Sequence, residues 1–230
     1  MHEDHDHPGS EALIVAPDDT AVLLLADCKA GLGITTTTQD AQITAAIAAV
    51  ISELDPAEGG WLGRAIVEQT WELRLSCFYR HRHHCRRYGH GAIALPYPPL
   101  VDIVSVKYDD LAGVEQTLVE GTDFQLLGVG TLGRQSIAPL YLQCWPVARW
   151  APESVRIRYD CGYDTGAIPP KLKQAIVLSV RAILNATERN VLILQDQVEG
   201  LGAKRYQSNP ALADIVTKAA DSLLSTLRAY

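Results

Sequence analysis

Between Glu153 and Asp160 the side chains alternate, with Val155, Ile157 and Tyr159 on one side and Arg156, Arg158 and Asp160 on the other. This is the period-two pattern of a strand buried on one face. Gly162 and Gly166 then mark a reversal, and Ile168-Pro169-Pro170 predicts a helix starting near Pro170, where proline loses no intrahelical hydrogen bond. From Leu172 to Thr187 the residues Ala175, Ile176, Ser179, Val180 and Ile183 recur at helical spacing, and Val177, Leu178 and Leu184 broaden the stripe until little polar surface is left. A helix so apolar must be covered on more than one side, by its own sheet and by a second surface.

The same periodicities run through the rest of the chain. Residues 21–33 carry Val22, Leu23, Leu24, Leu25 and Leu32, a short helix with Asp27 as N-cap and its end at Gly31 or Gly33. Asp40 begins a second helix with the stripe Ile43, Ala46, Ile47, Val50, Ile51 and Leu54, closed by Pro56 and Gly59-Gly60. Period two returns at Thr70–Cys77, with Trp71, Leu73, Leu75 and Cys77 inward. Further strands are predicted at Ala92–Leu95, Val101–Tyr108, Glu115–Val119, Phe124–Leu127 and Ile137–Leu142, separated by Pro96, Pro98-Pro99, Asp109-Asp110 and Gly113. Short strands at turn-limited spacing predict an antiparallel sheet or a small barrel. After a loop, 192–206, Asn209-Pro210 opens a last helix with Leu212, Ile215, Val216, Ala219, Leu223 and Leu227 along one face. Such a helix packs on its own body or on a partner's.

The expected class is α+β: a helical body of two N-terminal helices, one long central helix and one C-terminal helix, with the β-rich part, about 65–160, inserted. Residues 1–20 are expected to form a flexible arm, 21–189 the body, and 190–230 a loop and a docking helix.

Composition narrows the function. The 230 residues are 47% hydrophobic, enough for a sizeable core, and no run approaches the ~20 apolar residues of a membrane span. The acidic, histidine-dotted start does not resemble a signal peptide, so a cytoplasmic product is the default expectation. The five cysteines are widely spaced with no C-x-x-C pair, which suggests reduced, mostly buried thiols. A net charge of -7 argues against a surface that grips nucleic acid everywhere, while leaving room for local basic patches.

Candidate chemistry concentrates in two places. His2, His5 and His7 interleave with Glu3, Asp4 and Asp6, a set able to catch a divalent metal if the terminus were ordered. The run Arg80-His81-Arg82-His83-His84-Cys85-Arg86-Arg87-Tyr88-Gly89-His90 holds imidazole and thiolate ligand types, yet four arginines surround them and the spacing matches no usual zinc module. It reads as a solvated loop, as a basic tip meeting phosphate, or as a metal site, the last giving the rival class of a metal-dependent enzyme or metal-regulated binder. No nucleophile elbow, Walker loop, zincin helix or dinucleotide fingerprint is present, and Gly128–Gly133 lies between strands as a turn. The loop with Trp145, Pro146, Trp150 and Pro152 is expected to be packed or partner-facing.

Three motifs in register carry a resemblance: Gly63-Arg64-Ala65 with Gln69–Leu73; Leu95–Val101 with Val104–Asp109; and Tyr159–Tyr163 with Ile168-Pro169 and Lys173–Ile176. Across about 21–189 the chain resembles the head-tail connector (adaptor) family of tailed phages and gene transfer agents. The resemblance implies a non-enzymatic virion protein without cofactors, assembled in the host cytoplasm. It implies a homo-oligomeric ring of twelve at the head-tail interface, bound to the portal protein on one side and to a stopper or tail-completion protein on the other, with DNA passing through the lumen. On that reading Leu212, Ile215, Leu223, Leu227, Arg228 and Tyr230 are expected to meet the portal. Arg80, Arg82, Arg86 and Arg87 are placed near DNA from their composition alone. The arm 1–20 and the segment 80–90 depart from the family core.

Overall fold

The fold is that of a computed structural model, which describes residues 9–78, 91–129, 133, 135–189 and 210–228; for 186–189 and 210–214 it describes the backbone alone. The described elements are strand β1 (Ser10–Val15), helices α1 (Leu25–Leu32) and α2 (Asp40–Leu54), strands β2 (Gln69–Leu75), β3 (Ile93–Ala94), β4 (Leu100–Asp109), β5 (Glu115–Leu118), β6 (Phe124–Leu127), β7 (Ser136–Pro139) and β8 (Val155–Cys161), and helices α3 (Pro170–Arg189) and α4 (Pro210–Ser225). The class is α+β, as the periodicities require. The strands form two antiparallel sheets, one of five strands in the order β1-β2-β8-β4-β5 and one of three in the order β3-β7-β6. Neither closes into a barrel.

Two apolar cores follow from this arrangement. In the first, the predicted stripe of α2 is buried in full, from Ile43 to Leu54, against Leu172, Ala175, Ile176, Val177, Val180 and Leu184 of α3 and Leu224 and Leu227 at the C-terminal end. The second lies between the sheets, where Trp71, Leu73, Val106, Val155, Ile157 and Tyr159 meet Phe124 and Ile137. The alternation in β8 is exact: Val155, Ile157, Tyr159 and Cys161 are buried and Arg156, Arg158 and Asp160 are not.

Several local expectations are corrected. Asp27 lies in the first turn of α1; the N-cap is Leu24, without a side-chain hydrogen bond, while the left-handed Gly33 ends the helix as expected. Residues 10–15, assigned to the arm, form β1, paired with β2 in the register Ser10 to Arg74 and Leu13 to Trp71 and shifted past Ile14 by a bulge. Its alternation is too short and too exposed to stand out from a terminal tail. The wide face of α3 is covered by α1, α2 and α4 of the same chain, three helices where a sheet and a second surface were expected. The inward face of α4 is turned by about one residue from the expected stripe, with Ala220, Leu224 and Leu227 buried and Ile215 60% exposed.

The two cores are joined at Asp55, which caps α2 and is 1% exposed. Its carboxylate accepts from the backbone N–H of Ala57 at 2.9 Å and of Ile66 at 2.9 Å, and from Gln69 Nε2 at 3.1 and 3.2 Å. Gln69 Oε1 in turn accepts from Trp71 Nε1 at 3.0 Å, so the end of α2 is tied to the start of β2. Gly60 folds back onto the same corner, where an added Cβ would sit 2.3 Å from the Leu54 carbonyl carbon. At the other side of the junction Gly162, at φ 115°, crosses Val67 so closely that a Cβ would lie 2.1 Å from its carbonyl oxygen.

Burial pushes the Asp55 carboxyl above its ordinary range, against the opposing hydrogen bonds from Ala57, Ile66 and Gln69. Asp55→Ala leaves the Ile66 N–H and the Gln69 amide without their acceptor, so a loss of about 2–4 kcal/mol is expected in urea unfolding of the monomer. Leu224→Ala removes a side chain 3% exposed from the helical core and is expected to cost about 2–5 kcal/mol in the same assay.

Candidate assembly interface

The described surface offers docking features in two regions. At the C-terminal end α4 is held in place by Arg64, itself 2% exposed, whose Nε donates to the Leu227 carbonyl at 2.8 Å and whose Nη1 donates to Tyr163 Oη at 3.1 Å. Arg228 lies over the Trp61 ring at 5.5 Å. Of the residues expected to meet a portal, Leu227 is buried in the chain's own core and Leu223 is partly buried against it, while Ile215 and Arg228 are exposed. The Leu212 side chain and Tyr230 lie outside the described residues. The helix thus takes the first of its two fates and still presents an outer face.

The second region is the end of the five-stranded sheet away from the Asp55 junction, where β2 ends, β8 begins and the β4–β5 turn projects. Leu111, Val114, Val147 and Trp150 are all more than half exposed here. The loop before β8 is held to the turn by the Arg149 N–H, which donates to the Asp109 carbonyl at 2.8 Å. Tyr141 and Leu142, on the same loop, are 79% and 81% exposed, and Leu142 adopts φ 65°, a conformation rarely taken by branched apolar residues. Trp150, Tyr141 and Arg149 are of the residue types that serve as interface anchors, whereas leucine and valine rarely do. Trp145, by contrast, is buried: Phe78 stacks on it at 4.8 Å, and its Nε1 donates to the Gly91 carbonyl at 2.7 Å. Both flanks of segment 79–90 therefore rest on one indole. Arg80, Arg82, Arg86 and Arg87, and with them His81, His83, His84 and Cys85, lie outside the described residues, as do His2, His5 and His7.

Between these regions the outer face of the large sheet is a ladder of paired charges. Glu72, 6% exposed, accepts from Arg74 Nε at 2.8 Å and from Arg158 Nη2 at 2.8 Å and Nε at 3.2 Å. Arg156 reaches Asp109 at 2.8 Å and Glu115 at 2.9 Å, and Lys107 bonds Glu115 at 2.8 Å. The sequence shows the alternation that puts these residues on one face but not which strands neighbour each other, so the pairing was invisible in it. Two bulges in β4 leave Val101 and Val104 more than half exposed on this charged face.

No group of three or more His, Cys, Asp or Glu side chains placed to hold a metal occurs among the described residues. The Cys28 and Cys161 thiols are buried and pushed up by that burial, which leaves them unreactive, while Cys77 is half-buried and Cys144 exposed.

No family model and no curated protein matches this chain. Solved structures do. The fold is similar to that of a chain in the virion of a native gene transfer agent (GTA) particle, with TM-score 0.60 and 20% identity over 96% of this chain and 95% of that one. It is also similar to chains in the neck of an empty GTA particle computed with C6 symmetry (TM-score 0.58, 19% identity) and in the neck of a native GTA particle computed with C12 symmetry (TM-score 0.55, 19% identity), each over 96% of both chains. The likeness therefore spans both cores.

Burial pushes the Glu72 carboxyl up, but the hydrogen bonds and charges of Arg158 and Arg74 outweigh it and hold the group below its ordinary value of 4.5. The stability this contributes is complete above that ordinary value and is lost as pH falls through the lower folded one. Glu72→Gln is accordingly expected to flatten the acid limb of stability against pH, read as urea midpoints from pH 6 downward.

Proposed function

We propose that this chain is a structural subunit of the neck of a tailed-phage-like particle, an adaptor that forms a ring, of twelve copies, between the portal and the stopper or tail, with DNA passing through its lumen. The observation that carries this reading is the extent of the structural likeness: 96% of the chain, helical body and sheets together, follows chains found in GTA virions and necks. Chains in particles solved with C6 and C12 symmetry support a cyclic homo-oligomer, whose head-to-tail contacts need two different surfaces on each subunit. One of them is assigned to the exposed apolar end of the five-stranded sheet. The role is non-enzymatic and its place is the virion.

The portal contact is assigned to the exposed part of the C-terminal helix, Ile215 and Arg228, and, on the sequence alone, to Leu212 and Tyr230. Leu223 and Leu227 leave this role because they serve the chain's own core. Arg80, Arg82, Arg86 and Arg87 are assigned to the DNA side, since guanidinium groups follow a polyanion without reading its sequence.

Mixing the protein with the portal ring of its own particle and imaging the product by electron microscopy is expected to show a second ring stacked on the portal. A chain that stays monomeric and unbound at every concentration overturns the reading. Ile215→Asp, at a side chain 60% exposed, is expected to keep the melting temperature and to weaken portal binding about tenfold or more. Replacing the four arginines by Ser is expected to change DNA retention in assembled particles, and unchanged packaging and ejection would remove the DNA assignment.

A further inference from the structure

Head-to-tail association needs a second surface besides the apolar end of the sheet, and the two outer edges of the five-stranded sheet supply a matching pair. Its order, β1-β2-β8-β4-β5, leaves β1 and β5 each paired on one side among the described residues. An unpaired edge presents backbone N–H and C=O groups to another strand, and proteins guard such edges with lysine, proline or bulges, or by keeping them short. Shortness is the one guard on β5. Glu115–Leu118 contains neither lysine nor proline, its register with β4 is unbroken, and its single charge, Glu115, is neutralised by Lys107 at 2.8 Å and Arg156 at 2.9 Å. Val114 and Val119, just beyond its two ends, are 55% and 57% exposed.

The hydrogen bonding fixes which groups of β5 point outward. The Asp110 N–H donates to the Val114 carbonyl at 3.0 Å, whereas Asp109 turns its N–H to the Ser154 carbonyl and its carbonyl to the Arg149 N–H, both at 2.8 Å and both away from β5. Bonded and non-bonded pairs alternate along an antiparallel ladder, so Glu115 and Thr117, opposite Asp109 and Lys107, direct their own N–H and C=O groups outward. The counterpart is β1, six residues without lysine, arginine or proline, bulged only near its end, where Ile14 is 39% and Val15 54% exposed. Ser10 and Ala12 stand opposite Arg74 and Glu72, on the same outer face as Thr117, so small uncharged side chains meet Thr117 when the two edges are set together.

Strand direction selects the occupant. Every neighbouring pair from β1 to β5 is antiparallel, so after four reversals β1 and β5 run the same way. A rotation about an axis along the strands brings β5 of one copy beside β1 of the next as a parallel pair, and repeating it uses every edge. A two-fold pairing of β5 with β5 is antiparallel and leaves both β1 edges open.

We propose that β5 of one subunit pairs in parallel with β1 of a second copy of this chain, joining the five-stranded sheets edge to edge around the ring. The proposal rests on the ring reading above and names the contact between its subunits. A four-residue parallel pair is marginal alone, so it forms where copies are already gathered on the portal.

The test is cross-linking on portal-bound rings, in a chain with Cys85 and Cys144 changed to Ser. Ala12→Cys combined with Thr117→Cys and treated with a short bis-maleimide is expected to give a ladder of covalent multimers beyond the dimer on a denaturing gel, while each single variant stays monomeric. Thr117→Pro, which removes only an outward N–H, is expected to keep the far-UV circular dichroism of the free chain and to lower ring formation about tenfold or more. Rings seen by electron microscopy without the ladder overturn the edge pairing and leave the neck reading standing, as does ring formation undiminished by Thr117→Pro. Dimers from Thr117→Cys alone assign β5 to itself and overturn the pairing with β1. Absence of any ring from the unaltered chain removes the neck reading and this proposal together.

Discussion

The architecture depends on one buried carboxylate. Asp55 ends α2, receives the amide of Ile66 eleven residues on, and holds Gln69, whose own oxygen fixes the Trp71 indole in the second core. Removing a carboxylate from water is costly unless its lone pairs are filled, and here they are filled only when the helix end and the first residue of β2 stand in one relative position. The hydrogen bonds thus set the direction in which the five-stranded sheet leaves the helical body. Gly60 and Gly162 permit the close backbone approach that this geometry demands.

From that junction the molecule divides its surface by kind. The body spends its apolar residues internally: the apolar face of α3 is enclosed by α1, α2 and α4, while Lys171 and Gln174 stand exposed on its other side, and Arg64 holds the Leu227 carbonyl. The outer face of the large sheet is neutralised pair by pair, with Glu72 shared between two arginines and Arg156 between two carboxylates. Exposed apolar side chains occur at the far end of the sheet, with Trp150 and Leu111, on the loop before β8, with Tyr141 and Leu142, and on the outer face of α4, with Ile215. Other exposed apolar side chains, among them Leu24, Val101, Val104 and Val119, are scattered over the described surface.

Apolar content along α3 by itself argued for more sticky surface than one molecule can hide. The tertiary arrangement answers most of that demand internally, since helices from both ends of the chain return to cover α3. Exposed apolar surface therefore lies less on α3 than on the loop before β8, where the sequence showed two tryptophans and could not say that Trp145 is buried and Trp150 is not.

Local pattern alone determined the elements. The stripe of α2, the alternation of β8, the proline start of α3 and the short strand β6 all follow from the spacing of apolar residues within a few turns, because a helix or strand repeats its own geometry every 3.6 or 2 residues. Only the tertiary structure decided what those elements touch. The rotation of α4, the neighbour order β1-β2-β8-β4-β5, the two-sheet core and the bond from Arg64 to a carbonyl 163 residues away arise from contacts between distant segments, for which no local period exists. Residues 10–15 show the boundary between the two: six residues with too little pattern to declare a strand became one because β2 offered an open edge.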